Sequence, residues 1–85
     1  MTVKLLYFAA LREQLGIAHE ALALPPDIDT VAGLRAYLIE RGGAWQSALA
    51  GTRALRVAVN QDMAQPTTPV KAGDEIAFFP PVTGG

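Results

Sequence analysis

Apolar side chains near the start of the chain predict a strand, a short helix and a second strand. Residues 3 to 9 combine β-branched, aromatic and large aliphatic side chains, which is typical of a central strand covered on both faces. Residues 10 to 15 are good helix formers, and Gly16 follows where a helix favours a left-handed C-terminal residue. Residues 18 to 24 place apolar side chains on one face at a period of two, which predicts a partly exposed strand.

The middle of the chain predicts the main helix. Thr30 is a favourable N-cap residue. Apolar residues then recur at helical spacing, at Val31, Leu34 and Leu38. The Gly42-Gly43 pair ends this helix, whose apolar stripe is expected to cover a sheet.

The last third of the chain predicts two or three further strands. Residues 55 to 59 alternate between large apolar and other side chains, and residues 60 to 62 supply turn chemistry after them. Pro66 and Pro69 limit the next segment to a short edge strand. Residues 75 to 79 then form a last strand, which stops at two prolines.

The order of these elements predicts an α+β fold in which helices pack on one face of a mixed sheet. Residues 44 to 51 around Trp45 and Leu49 are ambiguous and are compatible with a further helical turn, and Trp45 is expected to pack beside the main helix. Order alone leaves the topology of the sheet open.

Length and charge exclude several classes of protein. With 85 residues, 51% of them hydrophobic and 18% charged, the chain can fill one hydrophobic core but not two. The formal net charge is -1 and the basic residues are scattered, so no basic stripe can bind nucleic-acid phosphates. No apolar run approaches the roughly 20 residues that span a bilayer. Arg12 and Glu13 directly follow the short apolar run near the N terminus, so we expect a cytoplasmic protein and not a secreted one.

The chain is poor in catalytic side chains. Cysteine is absent, which excludes a disulfide, a thiolate metal site and a thioester. His19 is the only histidine and Ser47 the only serine, and neither lies in a catalytic motif. A lone histidine has no set of partners for a metal, so we expect His19 to be an exposed strand residue. Any chemistry must use a terminus, a backbone group or residues of a partner.

The last six residues, Pro80-Pro81-Val82-Thr83-Gly84-Gly85, predict an extended tail with a thin tip. Two prolines hold its base extended, and two glycines can pass through a narrow channel. At about 3.3 Å per residue the tail reaches up to roughly 20 Å, enough to enter the active site of another protein. The alternative is a frayed end without function, which is common for terminal residues.

The segment from Gly73 to Gly85, GDEIAFFPPVTGG, closely resembles the C-terminal signature of the MoaD-like family, the small sulfur-carrying subunits of molybdopterin synthase. Two further blocks, YFAALRE at residues 7 to 13 and AVNQ at residues 58 to 61, match the same family. The resemblance therefore spans nearly the whole chain. The departures are Tyr7, where the family often has Phe, and the proline-rich residues 62 to 70.

The resemblance implies a ubiquitin-like β-grasp domain over residues 1 to 79, followed by the tail over residues 80 to 85. It implies that the carboxylate of Gly85 is the reactive group. The rest of the tail would enter the active site of a partner.

By the same analogy, Phe8 and Phe79 lie on an apolar patch that docks on partners. Packing in the protein's own core is an equally good explanation for Phe8. It is a weaker one for Phe79, because Phe78 can fill the core by strand alternation.

The family resemblance also implies a reaction sequence. An ATP-dependent adenylyltransferase of the ubiquitin-activating type adenylates the terminal carboxylate, and a sulfur donor protein then supplies sulfur to form a thiocarboxylate. The large subunit of molybdopterin synthase uses this sulfur to convert cyclic pyranopterin monophosphate into molybdopterin, in a heterotetramer of two small and two large subunits. The chain itself would bind no cofactor or metal and would not be catalytic alone, since ATP is used by the activating partner.

Three other functions remain open for the sequence. A sulfur carrier of the thiamine pathway also ends in Gly-Gly, although the FFPPVT and YFAALRE blocks favour the molybdopterin family. A ubiquitin-like protein modifier would form isopeptide bonds with lysine side chains of target proteins. A β-grasp interaction module with an inert tail is the third alternative.

Overall fold

The computed structural model describes residues 1–50 and 55–80. The strands in these ranges are β1 (Thr2–Tyr7), β2 (His19–Ala23), β3 (Arg56–Val59), β4 (Asp62–Met63) and β5 (Glu75–Phe79). The helices are α1 (Ala9–Leu15), α2 (Val31–Ile39) and α3 (Gly43–Ala50). The strands form one mixed sheet in the order β2-β1-β5-β3-β4, which confirms the predicted α+β class.

Strand β5 lies at the centre of the sheet. It pairs in parallel with β1, where Tyr7 lies opposite Phe78, and antiparallel with β3, where Val57 lies opposite the same phenylalanine. Strand β2 pairs antiparallel with β1 and forms one edge. Strand β5, the last of the described strands, is therefore held on both sides.

Strand β1 is covered on one face only, so the prediction of a strand covered on both faces is wrong. Val3, Leu5 and Tyr7 are buried, whereas Lys4 between them is exposed. The reason is that the helices pack on one side of the sheet, and every second residue of a strand points away from that side. The strand also ends before residue 9, because Phe8 is already the N-cap of α1.

Helix α2 begins as predicted, and the proline-rich segment completes its N-terminus. The hydroxyl of Thr30 accepts a hydrogen bond from a first-turn N–H at 3.1 Å. The N–H groups of Val31 and Ala32 donate to the carbonyls of Thr68 and Pro66 at 3.0 and 2.9 Å. Most of this segment is therefore a loop that satisfies helix donors, and the edge strand predicted there is only the two residues of β4.

The ambiguous segment, for which a further helical turn was considered, forms the eight-residue helix α3. Its first residue, Gly43, and the preceding Gly42 both have positive φ angles, of 55° and 75°, which allow a sharp turn after α2. Ala48 and Leu49 are buried against the rest of the core. None of the helices in the described residues has the length and apolarity that crossing a membrane requires.

The turn between β3 and β4 fixes the start of β5 through hydrogen bonds of the Asn60 side chain. Asn60 and Gln61 both have positive φ, as a two-residue hairpin turn requires. The side chain of Asn60 donates to the carboxylate of Asp74 at 3.0 Å and accepts from the N–H of Glu75 at 3.0 Å. The hydrogen bond from Asn60 and a second one from the N–H of Lys71 hold the pKa of Asp74 below its ordinary value.

An aromatic cluster joins the sheet to the helices. The ring of Tyr7 lies edge-on to Trp45 at 5.3 Å between centroids and stacks on Phe78 at 6.0 Å. The guanidinium of Arg41 lies 4.5 Å from the centroid of the Trp45 ring and donates to the carboxylate of Glu20 at 2.6 and 3.1 Å. Trp45 therefore packs against Tyr7 of β1 and against Arg41, two residues beyond the end of α2.

The hydroxyl of Tyr7 has no hydrogen-bond partner among the described residues, although it is buried. Burial, followed by the nearby charge of Glu20, raises the pKa of Tyr7 well above its ordinary value. A buried hydroxyl without a partner lowers stability, because it loses its hydrogen bonds to water on folding.

Substitution of Tyr7 by Phe is expected to raise the free energy of unfolding by about 1 kcal/mol, since it removes this unpaired hydroxyl. Urea denaturation at neutral pH measures the effect. Tyr37→Phe on α2, where the side chain is half-buried, is the matched control and should change stability by less than about 0.5 kcal/mol. A marked loss of stability in Tyr7→Phe would show that the hydroxyl is hydrogen-bonded in solution.

Candidate functional site

The root of the tail lies at the end of the central strand. Strand β5 ends at Phe79, and Pro80 follows as a half-buried residue. Strand β1 runs parallel to β5 and ends at the same edge, where the N–H of Phe8 donates to the carbonyl of Phe78 at 3.1 Å. Phe8 and the root of the tail are therefore neighbours.

The remaining predicted tail residues, Pro81, Val82, Thr83, Gly84 and Gly85, lie outside the described residues. Their insertion into a partner and the reactivity of Gly85 stay predictions. The division of the chain into a domain at residues 1 to 79 and a tail at residues 80 to 85 also stays a prediction.

Phe8 and Phe79 both lie away from the core. Phe78 is fully buried beneath the helices, and Phe79, the next residue along β5, is half-buried on the opposite face. Phe8 is 47% exposed, so core packing does not explain it. We call the side of the sheet that faces away from the helices the open face.

Four more apolar residues cross the open face in a row. Leu6 lies opposite Ala77 on β5, Ala77 lies opposite Ala58 on β3, and Ala58 lies opposite Met63 on β4. Met63 is the most exposed of the large apolar side chains described, at 61%. We define the apolar patch by its six residues, Leu6, Phe8, Ala58, Met63, Ala77 and Phe79.

Sequence reasoning found only the two phenylalanines of this patch. The others share no motif, and their proximity follows from strand register across four strands. The one local signal was strand alternation, which places Leu6 and Ala77 opposite the buried positions of their own strands.

Polar side chains border the apolar patch. Lys4 lies opposite Glu75 on the open face, one row nearer the start of β5. Arg56 lies opposite Phe79 and is exposed, and His19 lies opposite Leu6 as the exposed strand residue that was predicted. An apolar centre with a charged rim is the usual construction of a protein–protein interface.

The described residues offer little for catalysis on their own. Within residues 1–50 and 55–80, no group of three or more His, Asp or Glu side chains could hold a metal ion. A groove of about 610 Å³ runs between α2 and the β3–β4 hairpin, but its lining is mostly apolar, including Val31, Ile39 and Leu55. The candidate site is therefore the apolar patch together with the root of the tail, a surface suited to docking.

Comparison with known proteins identifies relatives over the full length of the chain. Residues 5–85 match the model of the ThiS family. The chain is 43% identical over 83 residues to the molybdopterin synthase sulfur carrier subunit of Haemophilus influenzae, and the alignment covers 98% of this chain and 99% of the relative.

Solved structures show the same fold. SAMP1 from Haloferax volcanii superimposes with a TM-score of 0.80 at 28% identity, covering all of both chains. A chain in the complex of subunits 1 and 2 of the molybdopterin-converting factor from Helicobacter pylori superimposes with a TM-score of 0.68 at 27% identity, again over all of both chains. These structures confirm the predicted ubiquitin-like β-grasp fold.

The two adjacent phenylalanines of β5 should differ sharply in their contribution to stability. Phe78→Ala is expected to lower the free energy of unfolding by about 3 to 5 kcal/mol, because it leaves a cavity in the core. Phe79→Ala should cost about 1 kcal/mol, because the side chain already contacts solvent. Urea denaturation of both variants measures the difference, and equal losses would contradict the assignment of Phe79 to the open face.

Proposed function

The chain belongs to the ThiS family and to the molybdopterin synthase sulfur carrier subunits, and from this premise we propose that the carboxylate of Gly85 carries sulfur as a thiocarboxylate. The thiocarboxylate donates its sulfur to cyclic pyranopterin monophosphate in molybdenum cofactor biosynthesis. The observation that carries the proposal is the placement of the tail root at the end of the central strand, beside an apolar patch in which Phe8 and Met63 are exposed.

The terminal carboxylate needs activation before it can accept sulfur. A C-terminal carboxyl group has a pKa near 3.5, so at neutral pH it is an anion that resists nucleophiles. An ATP-dependent adenylyltransferase of the ubiquitin-activating type joins it to AMP, and pyrophosphate leaves. The terminal sulfur of a donor protein's persulfide then attacks the carbonyl carbon and AMP leaves. Cleavage of the resulting acyl disulfide by a thiol frees the thiocarboxylate.

The composition of the chain agrees with a carrier that uses the active sites of its partners. It has no cysteine to supply sulfur, and its single histidine is an exposed residue of β2. The tail would enter the large subunit of molybdopterin synthase, where the sulfur is transferred. Catalytic groups are supplied there, and ATP is consumed only by the adenylyltransferase.

The apolar patch is the proposed docking surface for the large subunit and, in turn, for the adenylyltransferase. The Helicobacter pylori neighbour is in complex with its subunit 2, which supports docking of the same kind here. Aromatic side chains at the centre of an interface commonly dominate its binding energy, and burial of a phenylalanine contributes about 1.5 to 3 kcal/mol. We propose the assembly to be a heterotetramer with two copies of each subunit.

A second candidate function is protein modification. The similarity to SAMP1 from Haloferax volcanii, whose name in a related structure is small archaeal modifier protein 1, favours it. The same activated carboxylate would then react with a lysine amine of a target protein and not with a persulfide. The two functions share the first step and differ in the nucleophile.

Deletion of Gly85 is expected to abolish molybdopterin formation while the far-ultraviolet circular dichroism spectrum stays unchanged, because the reactive carboxylate moves back by one residue. Gly85→Ala is the matched control for the carboxylate, since it keeps the length of the tail and adds one methyl group. Retained synthesis in the deletion variant would refute the tail mechanism.

Mass spectrometry of the intact chain tests the sulfur itself. Incubation with the adenylyltransferase, ATP and a sulfur donor is expected to replace one oxygen by sulfur in the full-length chain and not in the Gly85 deletion. An unchanged mass of the full-length chain would favour an inert interaction module. A lysine-linked adduct formed in its place would favour the modifier function.

Phe8→Ser and Phe79→Ser are each expected to weaken binding to the large subunit by tenfold or more, because each removes an aromatic group from the docking surface. Isothermal titration calorimetry measures the affinity. Tyr37→Ser, a half-buried aromatic residue in the helical layer, is the matched control. A loss in Tyr37→Ser equal to the loss in the two patch variants would place docking elsewhere.

A further inference from the structure

Met63 stands out within the apolar patch by its exposure and its chemistry. Its side chain is 61% exposed, more than that of Phe8 at 47%. The chain has two methionines and no cysteine, so Met63 holds one of only two sulfur atoms that the protein itself supplies. An exposed thioether is open to oxidation, which converts an apolar side chain into a polar one.

The geometry around Met63 makes oxidation a local event. The residue lies on the two-residue edge strand β4, opposite Ala58, where it also lines the groove between α2 and the β3–β4 hairpin, and it is not part of the buried core. The hairpin is held by its backbone, as in the hydrogen bond from the N–H of Ala64 to the carbonyl of Val57 at 2.9 Å. A polar group added at the sulfur therefore changes the surface and leaves the contacts that fold the domain in place.

We propose that Met63 is a reversible oxidation site that controls docking of the carrier on its partners. The inference rests on the proposed function, since it assumes that the apolar patch is the docking surface. Hydrogen peroxide transfers one oxygen atom to the thioether, so that a sulfur–oxygen bond forms, the peroxide bond breaks and water leaves. The sulfur loses two electrons, the peroxide gains them, and a thiol-dependent methionine sulfoxide reductase reverses the change.

The sulfoxide opposes docking because its oxygen is a strong hydrogen-bond acceptor. An apolar partner surface gives this oxygen no donor, and burying it there removes its hydrogen bonds to water. We expect the affinity for the large subunit to fall by about tenfold or more on oxidation. The affected molecule is the free carrier, in which the apolar patch is exposed between partners.

Met1 is an internal control for this effect. It is 37% exposed and lies at the start of β1, at the far end of the strand from Phe8. Its ammonium donates to the carbonyl of Leu24 at 3.1 Å, outside the apolar patch. Oxidation of Met1 should leave docking unaffected.

The test treats the purified full-length chain with hydrogen peroxide and locates the added oxygen by peptide mass spectrometry. Binding to the large subunit is then measured by calorimetry before and after treatment. The dissociation constant of the wild-type chain is expected to rise about tenfold on oxidation. It should return to its starting value when the oxidised chain is treated with methionine sulfoxide reductase. Met63→Leu keeps Met1. For this variant, the dissociation constants before and after peroxide treatment should be nearly equal, whatever the starting affinity.

A second variant removes the dependence on peroxide. Met63→Gln places a polar acceptor at the same position, and it should bind about as weakly as the oxidised chain while its circular dichroism spectrum is unchanged. Unaltered binding after complete oxidation of Met63 would overturn the inference, as would a loss of binding that accompanies unfolding. A peroxide effect of equal size in Met63→Leu would overturn it too.

These outcomes can be told apart from failure of the proposed function. If Phe8→Ser and Phe79→Ser weaken docking but oxidation of Met63 does not, the apolar patch stands and the oxidation switch is wrong. If the Gly85 deletion still supports synthesis of molybdopterin, the sulfur-carrier mechanism is wrong whatever Met63 does.

Discussion

The parallel pairing of β1 with β5 is the interaction on which the rest of the structure depends. It joins the first of the described strands to the last, and because the two strands run the same way, both end at one edge of the sheet. Phe8 and the root of the tail meet at this edge as a direct result. Antiparallel pairing in its place would put Phe8 beside the start of β5, far from the tail.

The same pairing divides the chemistry of the protein between two faces. Side chains alternate along both strands, so Tyr7 and Phe78 enter the core while Leu6 and Ala77 remain on the open face. The small residues Ala58 and Ala77 keep the middle of the open face flat. Larger apolar side chains lie at the two ends of this row, so they project further from the sheet than the alanines between them.

Sequence predicted the elements whose signals are local. Thr30 and the apolar repeat after it located α2, and Gly16 ended α1. The prolines and glycines at the end of the chain predicted an extended tail, whereas the carrier function was implied only by the resemblance of residues 73 to 85 to a known family. The double phenylalanine could be divided between core and surface because strand alternation needs only two adjacent residues.

Sequence did not predict features that depend on distant neighbours. Strand β1 is covered on one face because the helices pack on only one side of the sheet. The side chains of residues 3 to 9 do not show on which side, or on how many sides, the helices pack. Helix α3 was underestimated because its two-glycine start weakens the local signal, while burial of Leu49 against other elements supplies the stabilisation. Met63 belongs to the candidate site only because it lies opposite Ala58 on the neighbouring strand. The strands that continue this row, β5 and β1, are distant in sequence, so local patterns could not reveal it.

The central position of β5 also affects when the sheet can be completed during synthesis of the protein. The last strand occupies the middle of the sheet, so a growing chain on the ribosome lacks the strand that holds β1 and β3 together. Until β5 has been made and has left the ribosome, Ala77 and Phe79 are missing from the open face. A polypeptide that lacks β5 therefore cannot complete the sheet, and the open face forms only when the residues of β5 have joined it.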